Sequence, residues 1–232
     1  MIVTTCNCLD PQYEKTQTWS ELALHSEPQD TTCDAWKRLL DLVEQAAHDG
    51  REVFKPAPEM QWEDWIQIVT LPPTIAKLKA VKHLMLYGSN LVRIPPEIGE
   101  MTFLEEFTPY TSYRLHYFPY EITRCAKLKK SAVSTRALYG NKSYRPPFPR
   151  LPSISQEYTP QSCSVCSGPF PKQGPLQFWI SLVVGTDVLP LLVHACSEEC
   201  VRQLPQPAKT YVQEPHQGGL DLKQPVKGLY CL

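Results

Sequence analysis

No stretch of this sequence approaches the roughly 18 consecutive apolar residues of a membrane-spanning helix, so no helical crossing is expected. The first residues, MIVTTCNCLDPQ, lack a basic segment followed by an apolar core, which argues against a secretory leader. Cys231 is the penultimate residue and does not complete a four-residue prenylation box. An excess of one charge is missing too: 23 Lys and Arg face 24 Asp and Glu, a formal net charge of −1. Bulk charge therefore gives no case for a nucleic-acid partner. There is no phosphate loop and no nucleophile elbow, and no enzyme activity is expected. These absences predict an intracellular, cytoplasmic protein without a membrane partner. Its thiols then stay reduced, which matters because the chain has nine cysteines. Clustered cysteines in a reducing compartment are better read as metal ligands than as disulfides.

What is present is enough chain for one large or two small domains: 232 residues, 42% of them hydrophobic. Proline is abundant at 23 residues, roughly twice the typical share of about 5%. Much of it is clustered and marks turns and connections. Three proline-containing segments match one another: Leu71-Pro72-Pro73-Thr74-Ile75, Ile94-Pro95-Pro96-Glu97-Ile98 and Phe118-Pro119-Tyr120-Glu121-Ile122. They follow at steps of 23 and 24 residues, a period that points to a stacked repeat architecture.

Ahead of the second segment runs Val81-x-x-Leu84-x-Leu86-x-x-Ser89-x-Leu91-x-x-Ile94-Pro95. This resembles the leucine-rich-repeat pattern L-x-x-L-x-L-x-x-N-x-L-x-x-L-P, with Ser89 in the asparagine place. The next unit reads Leu104-x-x-Phe107-x-Pro109-x-x-Ser112, and a last one Leu128-x-x-Ser131-x-Val133-x-x-Arg136-x-Leu138. Alternation at Leu84 and Leu86 puts both side chains on one face of a short strand. A single unit cannot bury that face alone, so units stack. Serines and Arg136 replace the asparagine, and Pro109 implies an irregular strand, so about three repeats are expected, the last degenerate. The resemblance implies that residues flanking the inner-strand leucines form a concave, protein-binding face. These are His83, Met85 and Tyr87, then Glu106, Thr108 and Tyr110, then Lys130, Ala132 and Ser134.

Around the repeats, residues 1–31 carry little pattern and are expected to be partly loose. Residues 32–69 are expected to form a helical cap. Cys33 to His48 is amphipathic, with Trp36, Leu39, Leu40, Val43 and Ala47 at helical spacing, Asp34 or Thr32 able to cap its start and Gly50 placed to end it. Trp62 and Trp65 are expected to fill core volume between this helix and the repeats at 70–142. The run Tyr144-Arg-Pro-Pro-Phe-Pro-Arg-Leu-Pro152 reads as an extended connection over 143–160. Cys6, Cys8, Cys33 and Cys125 read as ordinary cysteines.

Near the C-terminus, Cys163-Ser-Val-Cys166 precedes two strand-like runs, Leu176 to Val184 and Val188 to His194, separated by the turn residues Gly185-Thr186-Asp187. Then come Cys196-Ser-Glu-Glu-Cys200 and the start of a helix with acidic residues in its first turn. Knuckle, hairpin and helix-borne cysteines in this order resemble a treble-clef zinc finger, and the last pair resembles the second half of MYM-type and TRASH-type fingers. The resemblance makes Cys163, Cys166, Cys196 and Cys200 the ligands of one zinc ion. Apart from it, His194 or His216 could replace one ligand, with His194 expected instead to point from a strand beside the site. A closed four-thiolate site is structural, without an open position for catalysis. The module is expected over 161–206, with a tail at 207–232.

The fold class expected is therefore α+β: a short leucine-rich-repeat solenoid with an N-terminal helical cap, plus a small C-terminal treble-clef-like zinc module. The expected function is that of a protein-binding scaffold or adaptor. The alternative is nucleic-acid binding through the zinc module, using Lys172, Arg202, Lys209, Lys223 and Lys227, although Glu198 and Glu199 stand where a recognition helix would begin. A third reading, a cysteine-dependent ligase acting through Cys125, has no His or Asp partner visible in sequence.

Overall fold

The structure is a computed structural model and describes residues 23–134, 138–141, 146–151 and 159–225. It is a mixed α/β fold with two small sheets and few helices. The chain divides into two units, one made of 26–134 with 183–189, the other of the remaining residues. No helix among the described residues is long and apolar enough to cross a membrane.

The first unit opens with α1 (Asp34–Asp49). Its buried face is Ala35, Trp36, Leu39, Leu42, Val43 and Ala46, a stripe at helical spacing. The stripe is rotated from the expected one, so that Leu42 and Ala46 are buried while Leu40 and Ala47 are only half-buried. The cap also differs from expectation. The Cys33 thiol, not Asp34 or Thr32, accepts the Trp36 N–H at 3.4 Å. Thr32 instead turns back, its N–H donating to Asp30 Oδ1 at 2.8 Å. Gly50 ends the helix with φ 64°, its N–H reaching the Ala46 and Ala47 carbonyls.

Strands β1 (Val53–Phe54), β2 (His83–Met85), β3 (Glu106–Thr108) and β5 (Lys130–Ser131) then form one parallel sheet in that order. The register is Val53 to His83 to Glu106 to Lys130, and Phe54 to Leu84 to Phe107 to Ser131. Phe54, Leu84 and Phe107 are fully buried, while the residues beside Leu84 and Phe107 are half-buried. Each step returns through a short 3-10 turn: Pro73–Lys77, Pro96–Glu100 and Tyr120–Arg124. Pro72, Pro95 and Pro119 precede these turns with φ near −70°, the value the pyrrolidine ring fixes in advance. One isoleucine per turn, Ile75, Ile98 and Ile122, is buried. Strand β4 (Phe118–Pro119) leads into the third turn.

Serine hydroxyls tie these steps together. Ser112 Oγ lies 2.6 Å from Ser89 Oγ and donates to the Leu86 carbonyl at 2.9 Å. The Thr111 N–H donates to Ser134 Oγ. Ser134 is therefore buried, in contrast to its expected place on an exposed face. Arg136, expected at the asparagine position, lies outside the described residues. The two tryptophans part company: in the short helix α2 (Trp62–Trp65) Trp65 is buried, whereas Trp62 is 61% exposed and fills no core volume. Residues 26–31 are fastened to this unit, with Gln29 Oε1 accepting the Val69 N–H at 2.8 Å and Glu27 ion-paired to Arg114.

The second unit holds β6 (Leu176–Val184) up to Leu182, β7 (Asp187–Ala195) from Pro190 onward, and α3 (Glu198–Arg202). Its centre is Trp179, whose Nε1 donates to the Pro149 carbonyl at 3.0 Å and whose ring meets Tyr139 and Phe148. Trp179 and His216 exchange backbone hydrogen bonds, and the His216 ring stands edge-on to Phe148 at 4.5 Å. Residues 146–151, part of the expected extended proline-rich linker, pack into this unit through Phe148 and Pro149, and so does His216 of the expected tail. Gly140 is needed here, because a Cβ would come within 1.9 Å of the Phe148 ring.

Candidate functional site

The thiols of Cys163, Cys166, Cys196 and Cys200 lie within 4.8 Å of one another. Local chain geometry brings them together. In the knuckle, the Cys163 N–H donates to the Gly168 carbonyl at 2.8 Å and the Ser167 N–H to the Cys163 carbonyl at 2.9 Å. Ser167 takes φ 60° to close the turn. The knuckle is held to the end of β7 by Ser164, whose N–H donates to the His194 carbonyl at 2.8 Å and whose Oγ accepts the His194 N–H at 3.0 Å. On the other side, Ser197 caps α3, its Oγ accepting the Cys200 N–H at 3.3 Å. That cap fixes Cys200 one helical turn from Cys196.

The sulfur spacing discriminates between chemistries. Cys166 Sγ is 3.6 Å from Cys196 Sγ, and Cys196 Sγ is 3.5 Å from Cys200 Sγ. A disulfide requires about 2.05 Å. Four thiolates at about 2.3 Å from one tetrahedral ion stand roughly 3.8 Å apart, close to what is seen. The donor set is four soft sulfurs with N–H groups aimed at two of them: Gly168 N–H to Cys166 Sγ at 3.4 Å and Cys196 N–H to Cys163 Sγ at 3.3 Å. Burial alone would raise the Cys163 thiol, but N–H donation from Cys166, Cys196 and Val165 outweighs it and brings the group down to about 7. Burial pushes the Cys200 thiol up to about 12. A divalent cation would hold all four as thiolates. These four cysteines can hold one metal ion such as zinc.

Neither His194 nor His216 belongs to this group. His194 is buried, and burial pushes its ring down to about 4. His216 lies in the Trp179 cluster, where its Nδ1 accepts the Gly218 N–H at 3.2 Å. Of the remaining cysteines, Cys33 caps α1, and Cys6, Cys8 and Cys231 lie outside the described residues. Cys125 is buried, its thiol donates to the Ile98 carbonyl at 3.2 Å, and burial pushes it up to about 12. A thiol in that state is not a nucleophile near neutral pH.

The residues expected on a binding face follow the parallel sheet. His83 Nε2 is 2.9 Å from Thr108 Oγ1, and Glu106 lies 3.8 Å from His83 Nδ1 and 3.2 Å from Lys130 Nζ. Met85 is half-buried between its neighbours. Just beyond the strand ends, Tyr87 and Tyr110 are 54% and 47% exposed, with ring centroids 5.6 Å apart. Ala132 is half-buried. The Ser164–His194 clasp and the Trp179–Phe148–His216 cluster are not legible in the sequence, because both are long-range pairings without a local motif. Comparison with protein-family models and with curated proteins found no match.

Proposed function

We propose that this chain is a cytoplasmic protein-binding scaffold of the leucine-rich-repeat type, a short solenoid capped by α1, with a treble-clef-like module of the MYM or TRASH kind stabilised by one structural zinc ion. The observation that carries the binding reading is the exposed, mutually packed pair Tyr87 and Tyr110, just beyond the ends of neighbouring strands. Tyrosine offers a large contact area at small entropic cost and is enriched where interfaces concentrate their energy. The cross-linked row of His83, Glu106, Thr108 and Lys130 beside it supplies polar groups that are already oriented. Met85 completes the patch.

The scaffold reading is tested with the double substitution Tyr87→Ala and Tyr110→Ala in an affinity capture from cell extract. Proteins captured by the wild type should be lost, while circular dichroism and melting temperature stay within a few degrees. Undiminished capture would remove this face from consideration. Nucleic-acid binding through the zinc module draws less support. Arg202 is engaged with Glu199 at 2.6 Å, and Glu198 and Glu199 open the helix that would have to approach phosphate. Lys227 lies outside the described residues. A salt-dependent mobility shift with single- and double-stranded probes would reverse that ranking.

A further inference from the structure

The parallel sheet ends at β5, whose outer edge presents the N–H and C=O of Ser131. Such an edge is a template for unwanted pairing, and a stacked array needs its last step covered. Here the cover is the turn at 183–189, which belongs to the same unit as the sheet. The Ser131 N–H donates to Thr186 Oγ1 at 3.2 Å, and the Thr186 hydroxyl returns a bond to the Ser131 carbonyl at 2.8 Å. Ser131 Oγ accepts the N–H groups of Thr186 and Asp187 at 3.1 and 3.0 Å. It lies 2.6 Å from Asp187 Oδ2 and 2.9 Å from the Val184 carbonyl, one of which takes its proton. Gly185, at φ 62°, lets the turn approach, since a Cβ there would meet the Lys130 carbonyl carbon and the Ser131 nitrogen at 2.8 Å.

The strand leaving this turn, β7, ends at Ala195, immediately before the thiol of Cys196. We propose that the 183–189 turn is the C-terminal cap of the parallel sheet, and that metal occupancy at the four cysteines governs how firmly that cap is held. The second half of this inference rests on the metal reading above. The hairpin is one continuous piece of chain, so ordering its base at Cys196 lowers the entropy cost of seating its tip on Ser131. Metal loss then loosens the last step of the sheet while leaving the first step closed.

Amide hydrogen exchange on the full chain, with zinc content measured in parallel, tests this. Ser131→Ala, with zinc retained, should exchange roughly tenfold faster at 130–132 and 185–187. Chelation of the wild type should accelerate 130–132 to a similar degree, with β1 unchanged. Chelation of Ser131→Ala should add little, since both changes act on one contact. Unchanged exchange at Ser131 in wild-type protein whose zinc has been removed overturns the coupling and leaves the metal reading intact. Equal acceleration at Val53–Phe54 overturns it as well, because it signals general unfolding. A chain that takes up no zinc overturns both readings together.

Discussion

The two units solve the same problem, closing a small core, by opposite means. The parallel-sheet unit repeats one solution: a buried residue in each strand, a buried isoleucine in the 3-10 turns Pro73–Lys77, Pro96–Glu100 and Tyr120–Arg124, and serine hydroxyls bonding the steps. The cysteine unit uses single contacts: one tryptophan with its two ring neighbours and one cluster of four thiols. Repetition spreads stability over many equivalent places, whereas a unique centre concentrates it.

The largest effect should follow from attacking the unique centre. Replacing Cys200 with Ser, or chelating the metal, should abolish the near-ultraviolet dichroism of Trp179. Apparent binding energies of structural zinc are about 10–16 kcal/mol, more than a unit of this size can lose. The α1 and sheet signal in the far ultraviolet should persist. If both signals vanish in one transition, the contrast between the units is wrong. In the repeated unit, Phe107→Ala removes a fully buried ring that also packs edge-on to Phe118 at 5.7 Å. It should cost about 3–5 kcal/mol in urea unfolding followed through α1, and should leave zinc content unchanged.

Acid should separate the units more gently. Burial holds His216 down at about 4, against about 6.5 for a free imidazole. The unfolded chain therefore takes up the proton first. The stability this site contributes is complete above pH ~6.5, falls as pH drops towards about 4, and is flat below it. The total is about 3 kcal/mol, read as the difference in urea midpoint between wild type and His216→Leu across that range. A difference that does not change with pH would show that the ring is not held neutral. Smallest is the bonding along the sheet: Ser112→Ala should cost about 1–3 kcal/mol, with Ser89→Ala adding less than its separate effect because the two hydroxyls share one bond.

The contrast also explains what could be read from the sequence. Leu84 and Phe107, the proline-led turns at 23- and 24-residue steps, and the hairpin between the cysteine pairs announce themselves through period and spacing. The four cysteines singled out by spacing are the four that the fold gathers within 4.8 Å. Trp62 and Trp65 were indistinguishable because both sit in one short helix, and only the packing of Trp65 against the next step, where its Nε1 donates to the Tyr87 carbonyl at 3.3 Å, separates them. Phe148 looked like part of a proline connection because nothing local reveals that Gly140, Trp179 and His216 form its pocket. The Cys33 cap was missed because sulfur is a poor acceptor beside the oxygens of Thr32 and Asp34.

The most direct test is the metal content of this purified chain, measured by native mass spectrometry on wild type and on Cys166→Ser. Wild type should carry about one zinc ion per chain and the variant none, with the tyrosine face still folded in both. A wild type that emerges without metal from zinc-replete cells, or a variant that keeps its full complement, would contradict the reading of these cysteines as one closed structural site.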